Sequence, residues 1–356
     1  MSIRMKKSFT QILMDWHRYQ NGREMPWKGE KKPYRIWLSE IILQQTRVEQ
    51  GMGYYYRFIE QYPTIQDLAK APDQQVFKLW EGLGYYNRCR NLLHTAREIV
   101  HQRKGIFPDT YEDLLALKGV GPYTAAAIAS FAYNLPYAVV DGNVFRVLAR
   151  YMGVDTPTDS TEGKKIFHDL AYQMLDKKEP ALYNQAIMDF GATVCKPMSP
   201  LCAACPLQNG CAAFSTGKVN QLPVKEKTLQ RRTRYFNYFI LEYRQKIWVQ
   251  QRTAKDIWQQ LFEFYLVETE KQVRWDHSLI QNWLRDQLNI HEPVIGKIAE
   301  PLVQQLTHQQ IKGQFIHLQL KQKPASLKGG DWKTMAQIQE LAFPKLITSY
   351  LPQLKS

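Results

Sequence analysis

Apolar positions recur at helical spacing from about residue 8 to residue 190, and no long strand-like alternation interrupts them. The stretch from Tyr34 to Gln50 follows Pro33, whose fixed φ suits a first helical position. At ~100° per residue, Trp37, Leu38, Ile41, Gln45 and Val48 share one arc of that helix, with Gln44 inside the arc and Glu40 at its margin beside Trp37. Helical patterns return in DQQVFKLWEGL and NRCRNLLHTAREIV, on either side of Gly84-Tyr85-Tyr86. Past residue 234 the period changes. YFNYFILEY, KIWVQQR, FEFYLVET and QFIHLQLK are aromatic and β-branched and read as strands, with helices expected over Ser278–Leu288 and Trp332–Leu341. KVNQLPVKEKTLQRRTR, residues 218–234, is poor in apolar residues and reads as a linker. The chain is therefore expected to hold a helical domain over 1–217, a linker over 218–234 and an α+β domain over 235–356, without internal repeats or low-complexity tracts.

Composition narrows the partner. Lysine and arginine number 47 against 33 acids, a net charge of +14. Up to residue 220 there are 27 basic and 21 acidic residues, and beyond it 20 and 12, so both parts are basic and neither carries a charged tail. Such a balance favours a polyanion such as nucleic acid. No apolar run approaches the ~20 residues of a membrane span, and the basic N-terminus lacks an apolar core and cleavage site, so membrane and secreted classes are not expected.

Three segments could carry chemistry. Cys195, Cys202, Cys205 and Cys211 fall within 17 residues at C-x6-C-x2-C-x5-C spacing. Reduced thiols so close together suit tetrahedral zinc or an iron–sulfur cluster; zinc sites usually use two C-x2-C pairs and this segment has one. Cys89 stands apart and reads as a small buried hydrophobe. LLALKGVGPYT, residues 114–124, predicts two helices joined by a tight Gly-x-Gly hairpin, whose outward N–H groups could hold a phosphate. In VVDGNVFRV, Asp141 precedes a glycine after an apolar run, as a helix N-cap does. Taken alone, Asp141 could be a plain cap and Glu40 an ordinary exposed glutamate.

In combination these segments resemble the helix-hairpin-helix DNA glycosylase superfamily. More closely, MPWKGEKKPYRIWLSEIILQQTRV, LWEGLGYYNRCRNL and NQAIMDFGATVC resemble the adenine DNA glycosylases of the MutY family, across residues 8–214. The C-terminal part resembles that family's Nudix-like domain through QRTAKDIWQQLFEF, with Gln259 and Gln260 where the family usually has glycines. The fold class implied is multi-domain: an all-α helix-hairpin-helix glycosylase domain with a [4Fe–4S] cluster loop at 195–211, followed by an α+β Nudix-like domain.

The resemblance implies excision of adenine mispaired with 8-oxoguanine or guanine in double-stranded DNA. The base is flipped out of the stack, at a cost of a few kcal/mol. Glu40 matches the general acid that protonates adenine N7, and Asp141 the carboxylate facing the oxocarbenium ion, with Asn143 and Tyr123 orienting the site. Trp27, Leu43 and Gln185 match the adenine pocket. Gln45 and Tyr85 match residues that wedge the emptied stack, while Gln44, Thr46 and the hairpin Gly119, Val120 and Gly121 hold the strand. Leu306, Thr307 and His308 align with the 8-oxoguanine reading loop, usually Phe-Ser-His. Lys118 replaces a common proline in the hairpin. One [4Fe–4S] cluster on Cys195, Cys202, Cys205 and Cys211, structural or DNA-sensing, is implied, as are a monomeric state and a bacterial-type cytoplasmic location on nucleoid DNA.

Three other functions fit the chain less well. A thymine-glycol glycosylase/lyase of the same superfamily carries a lysine where this chain has Tyr123, and lacks the second domain. A nucleotide pyrophosphohydrolase needs a glutamate-rich metal-binding helix, and no REx2EE-like stretch occurs between 221 and 356. A non-catalytic iron–sulfur sensor would need no such base pocket.

Overall fold

A computed structural model describes residues 8–226 and 231–354. In chain order the helices of the N-terminal part are α1 (Phe9–Tyr19), α2 (Pro33–Leu43), α3 (Val48–Gln61), α4 (Ile65–Lys70), α5 (Asp73–Trp80), α6 (Asn87–Gln102), α7 (Tyr111–Ala116), α8 (Pro122–Tyr133), α9 (Gly142–Met152), α10 (Thr161–Met174), α11 (Pro180–Thr193) and α12 (Ala212–Ser215). Among the described residues, 8–70 and 90–226 form one compact unit and 71–89 with 231–354 the other. No helix among them is long and apolar enough to cross a membrane.

The helix expected from Tyr34 to Gln50 is two helices. Pro33 starts α2, as its fixed φ suggests, but the chain turns at Gln44 and Gln45, the latter at φ +56°, before α3 begins at Val48. No glycine or proline marks the break. The turn is held by tertiary contact, since the Gln44 side-chain amide donates to Thr124 Oγ1 of α8 at 3.3 Å. The apolar arc continues past the turn, so periodicity alone cannot show it.

In the first unit, α8 runs as PYTAAAIASFAY, and its small residues from Thr124 to Ser130 are all buried. Alanine costs no side-chain entropy in a helix and lets neighbouring backbones come close. Around α1, α9, α10 and α11 a larger core gathers Leu13, Trp16, Val147, Leu148, Phe167, Ile187 and Phe190. The start of the expected linker belongs to this unit. Leu222 is buried, its carbonyl accepts from Arg150 Nε at 3.0 Å, and Thr158 N–H donates to the Val224 carbonyl at 3.0 Å. Residues 227–230 of that segment lie outside the described residues, and its last three, Arg232 to Arg234, are already in the first strand.

The second unit is a mixed sheet of β1 (Arg232–Tyr243), β2 (Lys246–Gln251), β3 (Phe262–Glu263), β4 (Tyr265–Thr269), β5 (Val294–Ile298), β6 (Leu302–Gln305), β7 (Gln309–Gln319) and β8 (Gly330–Lys333). β1 and β7 run parallel, from Arg232 opposite Gln309 to Glu242 opposite Gln319, and the other pairs are antiparallel. The helix expected at Ser278–Leu288 is α13 (His277–Leu288), capped by the Asp276 carboxylate on Leu279 N–H. It packs Ile280 and Leu284 against Phe239, Ile316 and Leu318. The helix expected at Trp332–Leu341 is shorter. Trp332 lies in β8 opposite Trp248, and only α14 (Met335–Gln339) is helical, behind a capping box from Thr334 to Gln337; α15 (Lys345–Thr348) follows. Cross-strand pairing of two tryptophans overrode the helical period there.

One segment of the expected N-terminal domain groups with this second unit. Lys78 Nζ, just inside α5, donates to the Leu341 carbonyl at 3.0 Å, and Glu81 Oε1 accepts from Phe343 N–H at 2.8 Å. Residues 71–89 therefore pack with a segment more than 250 positions away in sequence, which no local pattern reveals.

Candidate active site

A cavity of about 610 Å³ opens in the first unit. Trp27, Glu40, Leu43, Thr46, Tyr123, Asp141, Asn143 and Gln185, all singled out in the sequence, line it together. They arrive from the α1–α2 loop, the end of α2, the turn after it, and the starts of α8 and α9 with the middle of α11. Glu40 is not an ordinary exposed glutamate. Its residue is 5% exposed, because α2 is apolar on every side and buried from Ile36 to Ile42.

Burial pushes the Glu40 carboxyl up to about 7; the hydroxyl of Tyr123 donates to it and pulls the other way, while the nearby negative charge of Asp141 adds to the rise. Asp141 is also raised by burial, but three hydrogen bonds to its charged form oppose that. Its Oδ1 caps α9, accepting from the N–H groups of Asn143 and Val144 at 2.8 Å each, and its Oδ2 accepts from Asn143 Nδ2 at 2.7 Å. So Asp141 is both a helix cap and a cavity residue, and the two readings of it were never exclusive. Two carboxyls share one cavity in unlike surroundings, Glu40 facing one hydroxyl and Asp141 three hydrogen bonds to its charged form.

Arg146 extends this network. Its Nη2 donates to Asn143 Oδ1 at 2.8 Å and to the Gly191 carbonyl at 2.6 Å, and its Nε donates to the Cys195 carbonyl at 2.7 Å. α11 can lie this close because residue 191 is glycine. A Cβ there would stand 2.7 Å from the Asn143 Cβ. The sequence reading passed over Arg146; its signal was an arginine on the apolar side of an amphipathic helix.

Gln185, which also lines the cavity, donates its side-chain NH2 to Asp189 Oδ1 at 3.1 Å. Asp189 is wholly buried and also holds Arg23 at 2.9 Å and Asn21 at 2.8 Å. Sequence reasoning missed it too, although a carboxylate four residues after Gln185 in an otherwise apolar helix was the available sign.

The predicted DNA-facing residues fall on turns. Gln45 is exposed at φ +56°. In the hairpin, Gly119 adopts φ +81° and packs so tightly on α6 that a Cβ would stand 2.7 Å from the Asn91 Cβ; Val120 is buried beneath it, and Lys118 points outward. Gly121 caps α8 without a side chain and faces open space, so the first N–H groups of α8 have no side-chain cap.

In the second unit, Leu306, Thr307 and His308 form the turn from β6 to β7, closed by Leu306 N–H on the Gln309 carbonyl at 2.8 Å, with His308 exposed. Tyr85, at φ +48° and 44% exposed, belongs to the same unit. Its hydroxyl hydrogen-bonds the Thr307 hydroxyl, and the Arg88 guanidinium lies over its ring at 5.3 Å.

The four clustered cysteines lie half-buried on the loop after α11, with Cys89 fully buried elsewhere. Burial pushes the Cys205 thiol up to about 11, and the thiols of Cys195, Cys211 and Cys202 are close enough to raise it further. Arg150 Nη1 donates to Cys195 Sγ at 3.4 Å. Among the described residues, no three His, Cys, Asp or Glu side chains are grouped so as to hold a single metal ion.

Comparison with known proteins agrees with this assembly. The family model described as "HhH-GPD superfamily base excision DNA repair protein" matches residues 38–170, and a NUDIX domain model matches 237–353. An adenine DNA glycosylase of Buchnera aphidicola subsp. Baizongia pistaciae (strain Bp) is 36% identical over 262 residues, covering 72% of this chain and 73% of that protein. One from Mus musculus is 41% identical over 228 residues, 61% of this chain and 44% of that one. Among solved structures, a thermostable thymine-DNA glycosylase superposes with a TM-score of 0.54 at 28% identity, over 58% of this chain and 95% of that one. By these likenesses the chain belongs to the adenine DNA glycosylase family, base-excision enzymes that remove adenine from DNA.

Proposed function

We propose that this enzyme hydrolyses the N-glycosidic bond of adenine opposite 8-oxoguanine or guanine, with Glu40 as general acid and Asp141 as the anion facing the sugar. The observation that carries this reading is the pair of carboxyls in one cavity, of which Glu40 keeps its proton up to about neutral pH. Glu40 gives that proton to adenine N7, the C1′–N9 bond breaks with its electrons leaving on the base, and positive charge develops at C1′. Asp141, held by Asn143 and the start of α9, stabilises that charge. Water then attacks C1′, and its proton returns to a carboxylate. Trp27, Leu43 and Gln185 enclose the flipped base. Gln44, Gln45, Thr46, Tyr85 and the Gly119–Gly121 hairpin hold the opened duplex. Thr307 and His308 read the opposing 8-oxoguanine, and the hydrogen bond between the Tyr85 and Thr307 hydroxyls supports that loop.

The cysteine loop fits a [4Fe–4S] cluster. The donor set is all sulfur, the single C-x2-C pair departs from the usual zinc spacing, and Arg146 and Arg150 supply positive charge beside the thiols. Cys195, Cys202, Cys205 and Cys211 would hold it. It would supply rigidity and a redox-active group to the loop, and no step of base removal runs through it.

The test is strand cleavage after alkali on duplexes carrying adenine opposite 8-oxoguanine, adenine opposite guanine, and thymine glycol. Alkali-labile sites at both adenines and none at thymine glycol are expected. Cleavage confined to thymine glycol would refute the reading.

A further inference from the structure

Asp189 is 0% exposed at its side chain and lies behind the wall of the cavity, not in it. Its Oδ1 accepts from Arg23 Nη1 at 2.9 Å and from Gln185 Nε2 at 3.1 Å; its Oδ2 accepts from Asn21 Nδ2 at 2.8 Å, with Lys28 Nζ at 3.4 Å. A carboxylate between two cations can only accept, so the Gln185 amide must turn its NH2 toward Asp189. An amide carries its oxygen on the opposite side from its nitrogen. The Gln185 carbonyl oxygen has no hydrogen bond within the protein among the described residues, and Gln185 lines the cavity.

We propose that Asp189 is a positioning residue that sets base specificity by locking the Gln185 carbonyl oxygen toward the bound base. The inference rests on the cavity being the base pocket. An oxygen fixed there accepts from the exocyclic amine of adenine. It opposes the carbonyl oxygen that hypoxanthine and guanine carry at the same ring position, leaving two acceptors facing each other. The choice between amine and carbonyl is thus made by a residue that does not touch the base. Gln185 without Asp189 could rotate its amide and serve either base.

The experiment compares single-turnover excision of adenine and of hypoxanthine opposite 8-oxoguanine by the full-length enzyme. Wild type is expected to favour adenine by tenfold or more. Asp189→Asn can donate to the Gln185 oxygen and so permits the flipped amide; the adenine-to-hypoxanthine ratio is expected to fall about tenfold. The double variant Asp189→Asn with Gln185→Glu restores a donor–acceptor pair in reversed order and again points an acceptor into the cavity, so the ratio should recover. A structural role alone would lower both rates together and leave the ratio unmoved in both variants, which refutes the proposal. Should Asp189→Asn fail to fold, as judged by circular dichroism, Gln185→Leu decides: it presents no acceptor to the base, so the preference should be lost, and a ratio unchanged from wild type counts against the proposal. A wild-type enzyme that releases no adenine contradicts the glycosylase reading, whereas one that releases both bases equally contradicts only this inference.

Discussion

The hydroxyl of Tyr123 donates to the carboxyl of Glu40 in the cavity wall, and Asp141 is close enough for its charge to be felt by the same carboxyl. Burial lifts Glu40 to about 7, so its protonated fraction declines as pH rises through neutrality. Single-turnover adenine release should fall about tenfold per pH unit well above pH 7. Glu40→Gln should abolish release at every pH while leaving the affinity for a duplex with adenine opposite 8-oxoguanine nearly intact. Retained turnover in that variant, or a rate unchanged from pH 6 to 9, would remove Glu40 from the mechanism.

The same shift affects stability. A carboxyl whose pKa is raised by folding is tolerated best when neutral, so the fold is most favoured below the ordinary value of 4.5 and loses that advantage as pH climbs toward 7 and beyond. The rise from 4.5 to about 7 corresponds to about 3 kcal/mol of destabilisation above pH 8. Glu40→Gln, which is neutral throughout and can still accept from Tyr123, should therefore resist urea better than wild type at pH 8. The gain should shrink to nearly nothing at pH 4.5. An equal difference at both pH values would mean that burial is not what raises this group.

Asp141 has two tasks that substitutions can separate. Asparagine also caps helices, so Asp141→Asn should change unfolding free energy by less than about 1 kcal/mol, whereas Asp141→Ala removes the cap on Asn143 and Val144 and should cost about 1–2 kcal/mol. Both remove the negative charge that the proposed mechanism sets against the sugar, and both should slow excision by orders of magnitude. A variant with full activity and a lost cap would confine Asp141 to the structural task.

Much of this site was legible in the chain because its parts are local. The cap at Asp141, the glycine hairpin and the cysteine spacing are each contained within 17 residues or fewer, where propensity and backbone chemistry act directly. What stayed hidden depends on distance. The break at Gln45 is held from Thr124, about 80 positions on, and carries no glycine or proline to announce it. Asp189 acquires its meaning only where Asn21 and Arg23 reach it across more than 160 positions. The packing of residues 71–89 with Leu341 and Phe343 is of the same kind, and periodicity contains no record of it.

The two hairpin glycines should respond differently to alanine. Gly119 has φ +81° and almost no room beside Asn91, so Gly119→Ala should lower stability by about 1–3 kcal/mol. Gly121 has φ −97° and open space, so Gly121→Ala should fold as wild type does. If phosphate approaches the uncapped start of α8, that added methyl stands in its path, and duplex affinity should fall severalfold with no change in melting temperature. Unaltered affinity in Gly121→Ala would put the DNA strand elsewhere.

In the proposed mechanism Tyr123, which lines the cavity with Glu40 and Asp141, offers no amine to the opened sugar. A phenol cannot form an imine with the C1′ aldehyde of an opened abasic sugar, whereas a primary amine can. Burial holds the Tyr123 hydroxyl well above its ordinary range, and it is committed as a donor to Glu40. Borohydride added during turnover should therefore trap essentially no covalent protein–DNA adduct with the wild-type enzyme. Tyr123→Lys places an amine between Glu40 and Asp141, whose charges oppose the loss of its proton, so adduct formation should appear and should increase as pH rises. Efficient trapping by the unsubstituted enzyme would require another amine near the sugar. Lys28, Lys31 and Lys178 also line the cavity, and substituting each in turn by glutamine would identify which one is responsible.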